Sequence, residues 1–560
     1  MKLPRIRIPL PLAALVSLAA TYLLFGLVGH APWKSHDAIG VGVMHQMLNG
    51  AGLDNWLVPR LAGERYLEDG PLYYALAALC AKLLSFAFAA HDAARIASAI
   101  SVGAAIWLLR TAARQLHGRN ESDNAALVLI GCLGLFVHAH EVLAANGALA
   151  GAALAWLGIT RATRTIANAG VDGTAARRNA LVAGLMFGAG AAIALWSKGP
   201  APVLPLLASA LAAPLLGSAW RTRAWWAFVA TGLAIVAAAL FLWLMALHMD
   251  NPVLPAAWLQ AQVDFFAAPT GARVLEQLQL LSWAAWPAWP LALWALWDRR
   301  RRLRNDPLLP TVAGAIAALA VFLFASDVNE LASLPLLPPL ALLAGAGVLV
   351  LRRGAANAMT WFGAMTFTLL GALVWLGWVA MMTGIPKQIA LNFAKLEPGH
   401  VPQFSAWALS IGLLLTLAWV CLIARSERSL QKSAAIWAGG VTFLWSLTMT
   451  LWLPWIDYGK TYAPVSASLS AALRKAELPA NACIASRGLG ESQRAAFDYH
   501  ARIVTRRLEV VPNAHCPALL IQGSAGASDR VDAGWRRIWE GNRPRDRERY
   551  RLYVRDPAHN

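Results

Sequence analysis

Runs of about twenty apolar residues, parted by short arginine-rich stretches, recur along this chain as far as residue 455, and a helix of that length matches the hydrocarbon thickness of a bilayer. No soluble core of this size needs so much apolar side chain. Of 560 residues 58% are hydrophobic and 14% charged, with a mean hydropathy of +0.50. The chain therefore reads as an α-helical polytopic membrane protein. Its formal charge of +18 follows from retention of Arg and Lys on the cytoplasmic side, and no nucleic acid is needed as a partner.

The basic clusters test that reading loop by loop. They are Arg110/Arg114/Arg119, Arg161/Arg164 with Arg177/Arg178, Arg221/Arg223, residues 299–302 with Arg304, Arg352/Arg353, and Arg425/Arg428/Lys432. All fall on one side if the spans run over 8–29, 93–112, 124–140, 142–160, 179–196, 200–217, 224–247, 277–297, 308–325, 332–351, 358–382, 405–424 and 433–453. That makes about thirteen crossings, beginning inside and ending outside. The first run follows Lys2, Arg5 and Arg7, is long for a signal peptide and has no small-residue cleavage site behind it, so it reads as a retained helix. The apolar run 72–90 is left out of the count, because a crossing there would carry the next arginine cluster outside. It is expected at the outer interface, opened by Pro71 and anchored by Tyr73 and Tyr74.

This topology puts a first loop, 30–92, and everything after Trp455 on the outer side. The chain divides there into a membrane-embedded part, 1–455, and a small C-terminal α/β domain, 456–560. In the latter a helix is predicted over 463–477, with strand-like runs "ACIAS", "RIVTRRLEV", "ALLIQG" and "RYRLYV". Cys80, Cys132 and Cys421 sit in apolar runs as small buried side chains, whereas Cys483 and Cys516 share the outer tail, where a disulfide can persist.

Charges beside apolar spans are costly unless paired or used, so the outer span ends are informative. The first loop supplies Lys34, His36, Asp37, Arg60, Glu64, Arg65, Glu68 and Asp69, and later span ends supply His138, His140, Glu141, Lys198, Asp327 and Glu330. A pocket there, lined by carboxylates and a few cations, suits a reaction on a lipid-linked anionic substrate: a carboxylate serves as base, and Lys or Arg holds a phosphate. His138, His140 and Glu141 are ligand types for a divalent metal, although interfacial polar residues are the commoner outcome at a span end, and no other cofactor is indicated. Bland alternatives stand beside each choice: Lys198 as a snorkelling lysine, Asp37 as an exposed partner of Lys34, Glu68 and Asp69 as solvated loop charges.

The stretch "HDAIGVGVMHQMLNGAGLDNWLVPRLAGERYLEDGPLYYALAALCAKLL" resembles the first-loop signature of bacterial polyprenyl-phosphate-dependent GT-C glycosyltransferases, of the aminoarabinose transferase and protein O-mannosyltransferase type. "AARIASAISV", "WSKGPAPVLPLL" and "LASLPLLPPLALLAG" resemble three later signatures in the same order, so the resemblance runs from Asp37 to about Gly347. It implies a GT-C fold and transfer of a sugar, with inversion, from an undecaprenyl-phosphate donor to a lipid A-like lipid, a glycan or a protein acceptor at the outer face. By this similarity Asp37 takes the place of the first-loop catalytic aspartate, and Glu68 that of the glutamate in the following Glu-Lys-Pro element. Tyr66 and Arg60 match neighbouring positions and His36 stands beside Asp37; all three are expected to bind substrate. Lys198 matches the lysine of a Lys-Gly element near the carrier phosphate, where an ammonium would stabilise the charge developing on the leaving group.

The chain departs from that pattern in five places. Ala38 stands for a usual Glu, Gly40 for Arg, Asp69 for Lys and Asn146 for Asp, and Val328 falls where a lysine precedes "LPLLPPLALL". The alternatives are a lipid or solute transporter, for which internal repeats and charges near span centres would be expected where this sequence crowds its charges at one face, and a silent relative. A catalytically silent relative with a lipid-binding or accessory role would share all of these features.

Overall fold

The computed structural model describes residues 12–50, 52, 54–167, 173–425, 431–476, 478, 482–526, 531, 534–544 and 546–555. The start of the first expected span, with Lys2, Arg5 and Arg7, lies outside the described residues, as does Arg428.

Each expected span falls on a helix or on a broken pair of helices. By length and apolarity, seven described helices can cross a membrane: Ala90–His117, Gly173–Lys198, Arg223–Asp250, Leu331–Val350, Arg353–Thr383, Ala406–Arg425 and Lys432–Leu451. The pair Asp123–Ile130 and Leu133–His140, bent by 61°, makes an eighth if counted as one span. Of the other expected crossings, 142–160 falls on the continuous helix Ala144–Ala167, which is not among those seven; Leu12–Leu24, Leu204–Leu216 and Leu309–Leu323 are apolar but brief, and the run 277–297 is divided into Gly271–Ala284 and Ala288–Arg299 around Pro287, whose missing N–H cannot continue a helix. Small residues let the helices Ala144–Ala167 and Gly173–Lys198 approach closely, which fixes the outer ends that carry the site.

The helix Pro71–Leu83 has 13 residues and is about 20 Å long, short of the roughly 30 Å of a hydrocarbon core. It opens on Pro71 as expected. Its tyrosines, however, are not lipid anchors. Tyr73 and Tyr74 are each 1% exposed, because the helix turns its aromatic face inward. The Tyr73 hydroxyl lies 2.5 Å from Ser98 Oγ and accepts from the Leu143 N–H, while the Tyr74 hydroxyl donates to Asp69 Oδ2 at 2.6 Å.

The first loop contains a hairpin, β1 (Arg60–Leu61) and β2 (Glu64–Arg65). The C-terminal α/β domain has five strands, β3 (Ile484–Arg487), β4 (Arg506–Arg507), β5 (Ala518–Ser524), β6 (Trp535–Gly541) and β7 (Glu548–Arg555), in the order β4-β3-β5-β7-β6. β3 is parallel to β4 and β5; β7 is antiparallel to β5 and β6. The expected helix is present as Ala463–Lys475, but a second, Glu491–Ala501, and strand β6 go beyond the sequence pattern. The long run "RIVTRRLEV" yields only the two residues of β4. Cys483 and Cys516 are disulfide-bonded.

The domain is tied to the first loop by charge. Glu64 pairs with Arg494 (3.0 Å) and Arg507 (2.8 Å), Lys34 with Glu548 (3.1 Å), and the Gln46 amide with Asp498. Lys34 is thus the partner of Glu548, not of Asp37.

Candidate functional site

The loop helix His36–Asn49 carries Asp37 in its first turn, and Asp37 is fully buried. Its Oδ2 accepts from Arg95 (2.7 Å) and from the Trp33 N–H (3.2 Å), and its Oδ1 accepts from the Val142 N–H (2.8 Å). Arg95, equally buried on the helix Ala90–His117, also donates to the His30 and Ala31 carbonyls and to Asp92. Burial alone would raise the Asp37 pKa, but the Arg95 charge and its hydrogen bond, with His30 and the Val142 N–H, outweigh it and hold the carboxyl below its usual range. Asp37 therefore joins three segments: the start of its own helix, the helix of Arg95 and the chain entering Ala144–Ala167.

The departures from the family pattern have a local cause here. A Cβ on Gly40 would lie 1.8 Å from the Val142 carbonyl oxygen, so no side chain fits, and Ala38 is 1% exposed. Asn146 donates to the His138 carbonyl at 2.8 Å, holding the chain's turn around Glu141.

A second group faces outward. Residues 66–70 run alongside the end of Gly173–Lys198, where the Gly70 N–H donates to the Ser197 carbonyl at 2.9 Å. Only glycine permits that approach, since a Cβ there would sit 2.1 Å from the Trp196 carbonyl oxygen. This sets Asp69 against Lys198, which donates to its Oδ1; the Lys198 side chain keeps a third of its surface exposed. Asp69, where the family has a cation, is thus the counter-charge of Lys198. Glu68 next to it is exposed and accepts from the Tyr66 hydroxyl at 3.2 Å. Glu491, from the C-terminal domain, joins this group: burial and then the negative charge of Glu68 push its carboxyl above the ordinary range.

His36 lies between this group and a third. Its ring centroid is 6.2 Å from that of His138, whose Nδ1 is 2.8 Å from Glu141 and whose Nε2 is 3.6 Å from Glu330. Burial lowers the His36 pKa; Glu141 opposes this, while His138 and Lys198 add to it, so the imidazole is neutral at neutral pH. A cavity of about 510 Å³ opens at His138 and Glu330 and continues between apolar side chains that include Phe136, Phe367, Trp437 and Leu444. Lys198 borders a smaller cavity with Pro202, Leu331 and Pro335, immediately after Glu330 in the chain.

Of the six residues singled out from sequence, His36, Tyr66, Glu68 and Lys198 thus fall in one outward-facing region, with Asp37 buried behind His36. Arg60 is near Tyr66 along the hairpin, but its guanidinium is turned to Asp250, 3.5 Å away beside the Arg65–Asp250 pair. His140 is turned away, its Nε2 2.6 Å from the Tyr22 carbonyl and its ring stacked on Trp445. Among the described residues no group of three or more His, Cys, Asp or Glu side chains is arranged to hold a metal ion. Sequence reasoning missed Arg95, Tyr74 and Glu491. Arg95 had a signal, an arginine inside an alanine- and serine-rich apolar run; Glu491 had none.

The long and broken helices, the loop helix and the C-terminal sheet define a multi-pass membrane protein of the GT-C fold. No protein-family model matches the sequence, and no curated protein matches it. Among solved structures, ArnT from Cupriavidus metallidurans bound to undecaprenyl phosphate superposes with a TM-score of 0.62 at 16% identity, covering 97% of each chain. The apo form of the same protein gives 0.61 at 17%, with the same coverage. A looser likeness, TM-score 0.45 at 11% identity over 91% of this chain and 69% of the other, is to the archaeal oligosaccharyltransferase AglB from Archaeoglobus fulgidus in complex with an inhibitory peptide and a dolichol-phosphate.

Proposed function

We propose that the protein is a glycosyltransferase of the bacterial inner membrane that moves a sugar from a polyprenyl-phosphate donor to a cell-envelope acceptor at the periplasmic face. The observation that carries this reading is an apolar cavity that ends among charged groups: the groove past Phe136 and Trp437 suits a polyprenyl chain, and His138 at its edge faces His36, on which the charge of Lys198 acts. The likeness to ArnT, which binds undecaprenyl phosphate, supports the choice of donor.

In this reading Lys198 leaves Asp69 in part to meet the carrier phosphate, and its charge stabilises the phosphate as the bond to the anomeric carbon breaks. Glu68, exposed and oriented by Tyr66, takes the proton of the attacking acceptor hydroxyl. Asp37, with its oxygens occupied by Arg95 and two backbone N–H groups, acts as a positioning residue that fixes His36 and the start of the loop helix. The acceptor is a lipid A-like lipid, a glycan or a protein with a hydroxyl or phosphate that reaches this corner from the outer leaflet.

The test is a structure of the protein in nanodiscs with undecaprenyl phosphate, beside native mass spectrometry of the wild type and Lys198→Ala. The expected result is a phosphate at Lys198, a chain in the Phe136–Trp437 groove, and weakened retention in the variant. A carrier that does not bind, or that binds with its phosphate away from Lys198, overturns the proposal.

A further inference from the structure

At the end of the bundle remote from the first loop, some arginines are held by carboxylates. Arg110 is held by Asp123 (2.6 Å), and Asp306 takes Arg299 (3.0 Å) and Arg302 (3.8 Å). Arg114, Arg119 and Arg164 have no acidic partner among the described residues; Arg164 donates only to Gln115 Oε1, at 3.0 Å. These three line a single cavity of about 460 Å³, together with Thr163 and Pro307, and among the described residues no Asp or Glu lines it. Leu116 and Ala167 give it an apolar side.

The cavity's depth is set by the helix Ala90–His117. Arg95 sits near its first-loop end and Arg114 near its other end, a rise of about 30 Å at about 1.5 Å per residue. That equals the hydrocarbon thickness, so Arg114 stands at the headgroup level of the opposite leaflet. Three guanidinium groups converge there on one cavity with no acidic partner among the described residues, whereas nearby Arg110, Arg299 and Arg302 are paired with carboxylates. Guanidinium presents paired N–H donors that match phosphate oxygens.

We propose that this cavity binds the phosphodiester headgroup of an anionic phospholipid from that leaflet, with the acyl chains leaving past the apolar side. The site is separate from the sugar-transfer corner and stands whatever reaction occurs there.

The test reconstitutes the full-length protein in nanodiscs of phosphatidylcholine doped with phosphatidylglycerol and counts retained lipids by native mass spectrometry. The wild type is expected to retain phosphatidylglycerol over phosphatidylcholine, and the triple variant Arg114→Gln/Arg119→Gln/Arg164→Gln to hold it roughly a hundredfold more weakly, from about a fivefold loss per arginine. Arg425→Gln, outside the cavity, is expected to leave retention unchanged. Equal retention of both lipids by the wild type, or undiminished phosphatidylglycerol in a triple variant that melts like the wild type, overturns the proposal. Titration of the delipidated wild type with inorganic pyrophosphate separates the two sources of phosphate. Displacement of the soluble anion by phosphatidylglycerol supports the lipid site, and pyrophosphate binding that the lipid does not reverse overturns it.

Discussion

Replacing Asp37 separates a reacting carboxylate from one that holds the site together. Asp37→Ala takes from the buried Arg95 guanidinium one of its two charge partners, leaving Asp92 at 2.9 Å, and breaking a fully buried pair costs about 3–5 kcal/mol as an upper bound here. At roughly 1–2 °C per kcal/mol for a chain this long, melting should fall by roughly 3–10 °C. Asp37→Asn keeps one of the two acceptor oxygens and the shape, so its cost should be nearer about 1.5–3 kcal/mol. Asp37→Ala/Arg95→Met should recover part of the loss, but only part, because Arg95 also satisfies the His30 and Ala31 carbonyls. The buried thiols of Cys80 and Cys132 make a thiol-reactive dye a direct reporter of unfolding. Activity, read as restoration of the modification in a deletion strain, decides the role. A positioning residue predicts that Asp37→Asn retains activity within about tenfold, whereas loss of a general base removes about 10²–10⁴-fold. An Asp37→Asn protein that melts near the wild type yet is dead would refute the positioning role.

Three further outcomes follow from the same contacts. Lys198→Ala should weaken donor retention and transfer, and it should also uncover Asp69, so Lys198→Ala/Asp69→Asn should melt higher than Lys198→Ala while transfer stays lost. Gly40→Ala should fail to accumulate or melt far below the wild type, since its methyl group meets backbone rather than a movable side chain; normal melting would mean that the loop helix is not seated on Val142. Acidification should loosen the C-terminal domain from the first loop. Burial lowers the His500 pKa from 6.5 to about 4 and lowers that of His45, while it raises those of Glu491 and Asp498, so the docked state binds fewer protons than the open one only where the imidazoles titrate, and its stability falls as pH drops below about 6.5 until the raised carboxyls begin to protonate. Hydrogen exchange of the helix Glu491–Ala501 should speed up in that window and stay flat from pH 7 to 8.

The membrane class and the order of the helices were legible because a run such as 224–247 announces itself by apolarity alone. Their number as clean crossings was not, because breaks such as those at Pro287 and after Ile130 depend on how neighbouring helices accept an interrupted backbone. Burial misled at Tyr73 and Tyr74: aromatic residues at the start of an apolar run look like interfacial anchors until the packed neighbour is known. The site was legible where residues close in sequence stay together, as with Tyr66, Glu68 and Asp69. It was illegible where partners lie far apart: Lys34 with Glu548, Glu64 with Arg494, and Asp37 with Arg95 become neighbours only through the fold. The glycine at position 40 reads from sequence as a lost cation, and only the Val142 carbonyl beside it explains why no side chain stands there.

The central claim is that this chain transfers a lipid-linked sugar to the envelope, and mass spectrometry of envelope lipids and glycans from a deletion strain tests it most directly. The account predicts that one species loses the mass of a single sugar, that the wild-type gene restores it, and that Glu68→Gln and Lys198→Ala, expressed to normal levels, do not. Spectra identical with and without the gene, or full restoration by both variants, would contradict it.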